Sequence, residues 1–236
     1  MCGRYRLTNA ERYGDFNDIR LGGRDIPARF NIAPTQKVLV VLDESPKEFS
    51  EVRWGLIPSW AKDRKIASSL INARCETVAT KPAFRTAFKK RRCLVPADGF
   101  FEWQKIGAAK QPYNIGLKGD EPFAFAGLWE SWRDPETQEQ VRTCSIITTA
   151  PNELTAPIHN RMPVILPMER RAAWLDPGKN AEELQSLLVP YDASKMEAYP
   201  ISARVGSPKN DDPAIITREL FLLPTRPKLP VTCPIP

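Results

Sequence analysis

Paired cysteines are missing from this sequence: five cysteines, an odd number, are spread over 236 residues with no CxxC spacing. That argues against both a disulfide framework and a structural zinc site, and points to a reducing cytoplasm. No stretch approaches the roughly 18 uncharged apolar residues of a membrane span, so no membrane association is expected. The opening Met-Cys-Gly-Arg-Tyr-Arg has no apolar segment of the secretory kind. There is no internal repeat, no low-complexity linker, and no basic run long enough to form a nucleic-acid arm. Residues 89–92 come nearest, and they suit a helix end, where cations complement the helix dipole. Only one histidine is present. Nothing in the sequence asks for a metal or a cofactor, and a monomer is expected.

What is present is the composition of an ordinary globular chain, with 42% hydrophobic and 26% charged residues. The net charge is +6 and the pI near 9.1. Such a balance favours a polyanionic partner, because each neutralised phosphate releases counterions, although simple solubility accounts for it equally well.

Patterning places a short strand at residues 3–7 and a helix at 9–18, with Thr8 as its N-cap. The β-branched run 38–42 and the run 51–57 read as partner strands after a Pro-containing turn. Residues 72–80 and 82–90 read as short helical pieces, the second opening on a proline at a permitted first-turn position. Further strands are expected at 93–96, 100–104, 113–117, 123–129 and 141–149, and helices at 168–175 and 181–188. The order is mixed, giving an α+β domain with a curved, barrel-like, mostly antiparallel sheet flanked by helices. Residues 223–236 hold five prolines and read as an extended tail.

Four residues could carry chemistry. If Met1 is removed, Cys2 presents an α-amine and a thiol on adjacent carbons. An α-amine has a pKa near ~7.7–8.0 against ~10.4 for lysine, so part of it is neutral and attacks an aldehyde to give an imine. The thiol can then add to the imine carbon and close a five-membered thiazolidine. His159 has an ordinary pKa suited to proton transfer, although a lone histidine is more often structural. Glu102 lies among aromatics in Gly99-Phe100-Phe101-Glu102-Trp103, where burial would raise its pKa; on an outward-facing strand position it would be ordinary. Asn72 could orient a substrate or the amine, or simply serve a turn. Arg4, Arg74 and Arg161 each lie two residues from one of these candidates and would suit phosphates if the candidates converge. Trp60, beside Pro58 in a loop, is a stacking candidate; Trp54 reads as core.

Seven motifs occur in order: Met1-Cys2-Gly3-Arg4-Tyr5, Phe30-Asn31-Ile32-Ala33-Pro34, Arg53-Trp54-Gly55-Leu56-Ile57-Pro58, Ile71-Asn72-Ala73-Arg74-Cys75-Glu76-Thr77, Phe101-Glu102-Trp103, Ile158-His159-Asn160-Arg161-Met162-Pro163, and Val205-Gly206-Ser207-Pro208-Lys209-Asn210. Together they resemble the SOS-response-associated peptidase family over residues 1–222. The resemblance implies a single α+β domain with a positively charged DNA cleft, and a thiazolidine crosslink to abasic sites in single-stranded DNA that shields the lesion. It implies Cys2 as nucleophile, Asn72 positioning its amine, Glu102 as proton shuttle, and His159 assisting sugar-ring opening and reversal. Arg4, Arg74 and Arg161 would hold phosphates, Pro34, Trp60 and Trp103 would shape the bend and stacking, and Lys209 joins the DNA-binding set. Ala61 stands where some members carry a second tryptophan. Two other readings remain open: a cysteine-type (auto)peptidase using Cys2, and a non-enzymatic single-strand-binding module.

Overall fold

The computed structural model describes residues 2–21 and 25–219; the tail over residues 223–236 lies outside them. The early strands are β1 (Tyr5–Leu7), β2 (Arg29–Ile32), β3 (Lys37–Leu42), β4 (Ser45–Trp54) and β5 (Asn72–Arg74). There follow β6 (Arg92–Ala97), β7 (Gly99–Ile106), β8 (Ala109–Leu117), β9 (Phe123–Arg133) and β10 (Gln140–Thr149). Two-residue β11 (Met162–Pro163) and β12 (Ile165–Leu166) precede β13 (Met196–Pro200). The helices are α1 (Ala10–Asn17), α2 (Arg85–Lys90), α3 (Met168–Leu175) and α4 (Ala181–Ser186).

One sheet runs β13-β8-β7-β1-β2, and the other runs β11-β10-β4-β3-β6-β9-β12. Because β9 also pairs with β10, the strands β10, β4, β3, β6 and β9 close into a five-stranded ring. The α+β, barrel-like architecture therefore holds, with antiparallel pairing throughout except where β10 runs parallel to β4 and β5.

Alternation sorts the side chains. Val38, Val40, Val52, Trp54, Cys93, Val95, Phe125, Cys144 and Ile146 fill the ring, in one core with Cys2, Tyr5 and Phe100. Intervening positions such as Val41, Leu94, Ala126, Leu128 and Ile147 face outward against Phe88 of α2 and Trp174 of α3. Burying such side chains is worth about 1.5–3 kcal/mol each. Gly127 points into the ring, where a Cβ would come within 2.7 Å of the Cys93 sulfur. Buried Arg92 donates to the carbonyls of Phe88, Lys89, Trp174 and Asp176, capping the C-terminal ends of α2 and α3 together.

Several local expectations are corrected. The N-cap of α1 is Asn9, whose side chain accepts from the Arg12 N–H at 2.8 Å. Thr8 is unavailable because its N–H and hydroxyl both donate to Asp98, at 2.6 and 2.7 Å. Residues 72–80 are not helical: Asn72–Arg74 is a strand laid parallel on β10, followed by turns. Its backbone is claimed by long-range bonds on either side, from the Ile146 N–H to Ile71 O at 3.1 Å and from the Cys75 N–H to Thr148 O at 2.9 Å. The helix expected from Pro82 starts at Arg85, and α4 stops at Ser186, two residues early. Strands β2 and β13 were not foreseen. Pro46, expected in a turn, lies within β4.

Candidate active site

The short strand β1 sits between β2 and β7, which carries the amino terminus to the face of β7 that holds Glu102. Cys2 is fully buried, its thiol 4.0 Å from the Arg4 carbonyl. Burial pushes the thiol pKa well up, and the negative charge of Glu102 raises it further. The Cys2 sulfur is therefore a thiol, not a thiolate, at neutral pH. Glu102 is 4% exposed, and burial takes its carboxyl up to about 7 despite the opposing pull of the amino-terminal charge. Such a carboxyl is poised to give or take a proton at neutral pH.

Asn72 is placed by the β5–β10 pairing. Gly55, with φ +122°, ends β4 where a Cβ would meet the Ala67 carbonyl at 2.9 Å. The chain then loops out and returns to β10, setting Asn72 opposite Ile146, a member of the same core as Cys2. Asn72 Nδ2 donates to the Ile146 carbonyl at 3.4 Å. Its Oδ1 is buried and has no hydrogen-bond partner among the described residues. A buried acceptor without a donor costs about 1–3 kcal/mol, and a protonated or neutral amine would satisfy it.

His159 is held by a knotted loop. The Asn152 N–H donates to Thr155 Oγ1 at 3.1 Å, the Thr155 N–H returns to Asn152 Oδ1 at 3.0 Å, and the His159 N–H donates to Thr155 O at 2.9 Å. Gln104, two residues beyond Glu102 on β7, donates to the Pro157 carbonyl at 3.0 Å and ties this loop to that strand. Burial lowers the His159 pKa from its ordinary 6.5, helped by the amino-terminal charge and by the Arg161 charge and opposed by a hydrogen bond to the Arg161 backbone, so the ring is mainly neutral at pH 7. Its Nδ1 meets the Arg161 backbone on both sides, 3.0 Å from the N–H and 3.1 Å from the carbonyl oxygen, so the backbone of residue 161 orients the ring in either tautomer.

The three arginines differ. Arg74 is exposed and has no side-chain partner among the described residues. Arg161 is gripped by both Glu76 oxygens, at 2.5 and 3.0 Å, and by the Thr148 carbonyl at 2.7 Å. Arg4 donates to Asn31 Oδ1 at 3.0 Å and to the carbonyls of Val205 and Gly206 at 2.7 and 3.0 Å. It thereby fastens the segment 203–216 over Phe101 and Trp103, which pack with Ile201, Val205 and Ile215. Lys209 is exposed on a turn of that segment. Pro34 is half-buried in the turn between β2 and β3, and Trp60 stands 59% exposed on the loop after β4. Ala61, by contrast, is buried with Ile57, Ala67 and Trp132, and its carbonyl accepts the Trp132 indole N–H at 2.7 Å.

Sequence reasoning thus named Cys2, Asn72, Glu102 and His159: Glu102 acts on the Cys2 thiol, the amino-terminal charge acts on Glu102 and His159, and Asn72 lies opposite Ile146 of the core that holds Cys2. It missed Glu76, Asn31 and Gln104. Glu76 lies in the same motif as Arg74, but only long-range geometry shows what it touches. Among the described residues no group of three or more His, Cys, Asp or Glu could hold a metal ion, and no helix is long and apolar enough to cross a membrane.

Comparison with known proteins gives one family. The family model of SOS response associated peptidases matches residues 1–208. The chain is 46% identical to "Abasic site processing protein YoqW" of Bacillus subtilis, over 92% of this chain and 99% of that one. It is 32% identical to "Abasic site processing protein YedK" of Escherichia coli, over 92% of this chain and 99% of that one. An X-ray structure of a protein from Bacteroides thetaiotaomicron superimposes with a TM-score of 0.85 at 33% identity, covering 93% of this chain and 100% of that one.

Proposed function

The chain belongs to the SOS response associated peptidase family, and on that premise we propose that it processes abasic sites in single-stranded DNA by closing Cys2 covalently onto the lesion. Its relatives named for abasic-site processing support the substrate class. After removal of Met1, the neutral α-amine of Cys2 attacks the C1′ aldehyde and forms a carbinolamine. Glu102 delivers a proton to the departing hydroxyl, so water leaves and a C=N bond remains. The thiol then adds across that bond: sulfur bonds to carbon, its proton passes to nitrogen, and a thiazolidine closes. Atoms balance with loss of one water, and no redox partner is required.

The observation that carries this reading is Glu102, which is close enough to Cys2 to raise its thiol pKa and is itself held at about 7. A buried acceptor at Asn72 Oδ1 supports its role in positioning the amine. His159 would assist proton transfer at the ring oxygen of the closed sugar and so release the aldehyde. Arg74 would hold a phosphate beside the lesion, with Lys209, Trp60, Trp103 and Pro34 shaping the strand's path. A peptidase with a Cys2–His159 pair fits less well, because a thiol raised by burial supplies little thiolate.

Incubation with abasic single-stranded DNA, followed by a denaturing gel, tests the proposal. A retained covalent band is expected. Cleavage of a peptide without a band would favour the peptidase, and neither result would leave a simple binder.

A further inference from the structure

Glu76 puts an exposed negative charge on the rim of a site read here as meeting a polyanion. Its side chain is 52% exposed, against 13% for its partner Arg161. Hydrogen bonding to Arg161, more than anything else, holds the Glu76 carboxyl below the ordinary range, so it is ionised at physiological pH. The pair is bidentate, and Arg161 Nη2 also donates to the Thr148 carbonyl at 2.7 Å. Arg161 Nε is buried and lacks a partner among the described residues. The guanidinium is thus locked between the turn after β5 and the end of β10, and little of it is left for a phosphate. From the same residue, the backbone N–H and carbonyl oxygen both lie against His159 Nδ1, at 3.0 and 3.1 Å. The end of β10 is itself paired with β11, Thr149 opposite Met162.

We propose that Glu76 is a positioning residue: it holds Arg161 in place, and through the Arg161 backbone it sets the orientation of His159. This rests on the reading of the site given above. Because Nδ1 is held between the N–H and the carbonyl of Arg161, any shift of that backbone turns the whole ring. Without Glu76 the guanidinium is an uncompensated cation, free to swing toward DNA, and the His159 hinge loses its anchor. DNA binding and chemistry should then separate. Binding to intact single strands would tighten and its salt dependence would steepen by up to about 0.7 in slope, one phosphate's worth. Crosslinking at saturating DNA would slow by roughly ten- to a hundred-fold.

Because His159 is the only histidine in the chain, its ring protons can be titrated by NMR without ambiguity in DNA-free protein. The charged groups acting on the ring are the amino terminus and Arg161, both of which lower its pKa. Glu76→Gln should move that titration further down, since Arg161 loses its counter-charge; Glu76→Asp, which keeps the charge, should restore it at least in part. A His159 titration identical in wild type and Glu76→Gln would overturn the proposal. So would a variant whose binding and crosslinking fall together in step with its melting temperature. If the wild type itself forms no crosslink, the proposed function fails, and the DNA-free titration still decides the role of Glu76.

Discussion

Burial takes the Glu102 carboxyl from an ordinary 4.5 up to about 7, so between those values the folded chain keeps a proton that the unfolded chain has lost. Stability from this group is greatest below the unfolded pKa and declines as pH rises toward about 7, after which it stays flat. Glu102→Gln removes that penalty. At about pH 8 the variant should be more stable than wild type by on the order of 3–4 kcal/mol, at about 1.4 kcal/mol per pKa unit, and the gap should close near pH 4. Chemical denaturation at the two pH values checks this, and an equal gap at both would refute the linkage. The same substitution should slow crosslinking by roughly 10²–10⁴-fold if general acid catalysis is its main contribution. It should also erase the limb near pH 7 from the rate profile. His159→Ala should differ, slowing the approach to the crosslink and lengthening its life against competitor DNA. Faster release would contradict the role given to the ring.

Segment 203–216 is anchored to β1 and β2 from several directions. Asn31 Nδ2 lies 3.1, 3.0 and 2.8 Å from the carbonyls of Val205, Ser207 and Asn210, and Arg4 holds Val205 and Gly206. Asp211 accepts from the Asn31 N–H at 2.8 Å and pairs with Arg29 at 2.8 Å. Charge-assisted bonds contribute about 1.5–3 kcal/mol each and are not additive, so Arg4→Ala should destabilise by about 2 kcal/mol or more. Arg74→Ala should leave the melting temperature unchanged, because Arg74 is exposed on β5 and has no described partner. It should instead lower the salt slope of single-strand binding by up to about 0.7. Thermal melts and a salt titration of both variants separate the two. A flattened slope with full stability for Arg4→Ala would reverse the assignment.

Across the whole molecule, what the sequence made legible was what repeats locally. β9 and β10 carry continuous apolar or small-residue runs that are buried from Phe123 to Glu130 and from Thr143 to Thr149, and α3 was placed at its observed bounds. β5 was not legible, because three residues become a strand only by pairing with a distant β10. The Thr8 cap failed for the same kind of reason: Asp98, far along the chain, takes its donors. At the site, reactive chemistry singled out Cys2, and aromatic surroundings foretold the raised Glu102. That Arg161 is bound to Glu76 and Arg4 to residues 205 and 206 depends on long-range contacts that no local pattern carries.

The central claim is that one residue supplies two nucleophiles, and the α-amine is the one that a residue ahead of Cys2 abolishes. The most direct measurement compares mature protein with a variant carrying one additional, uncleaved residue before Cys2, each incubated with abasic single-stranded DNA. Crosslinks are then read on denaturing gels and by intact mass. The mature protein should give a stable adduct one water lighter than its two components. The extended protein should remain folded, bind the DNA, and form no thiazolidine. An adduct of undiminished yield and stability from the extended protein would contradict the account.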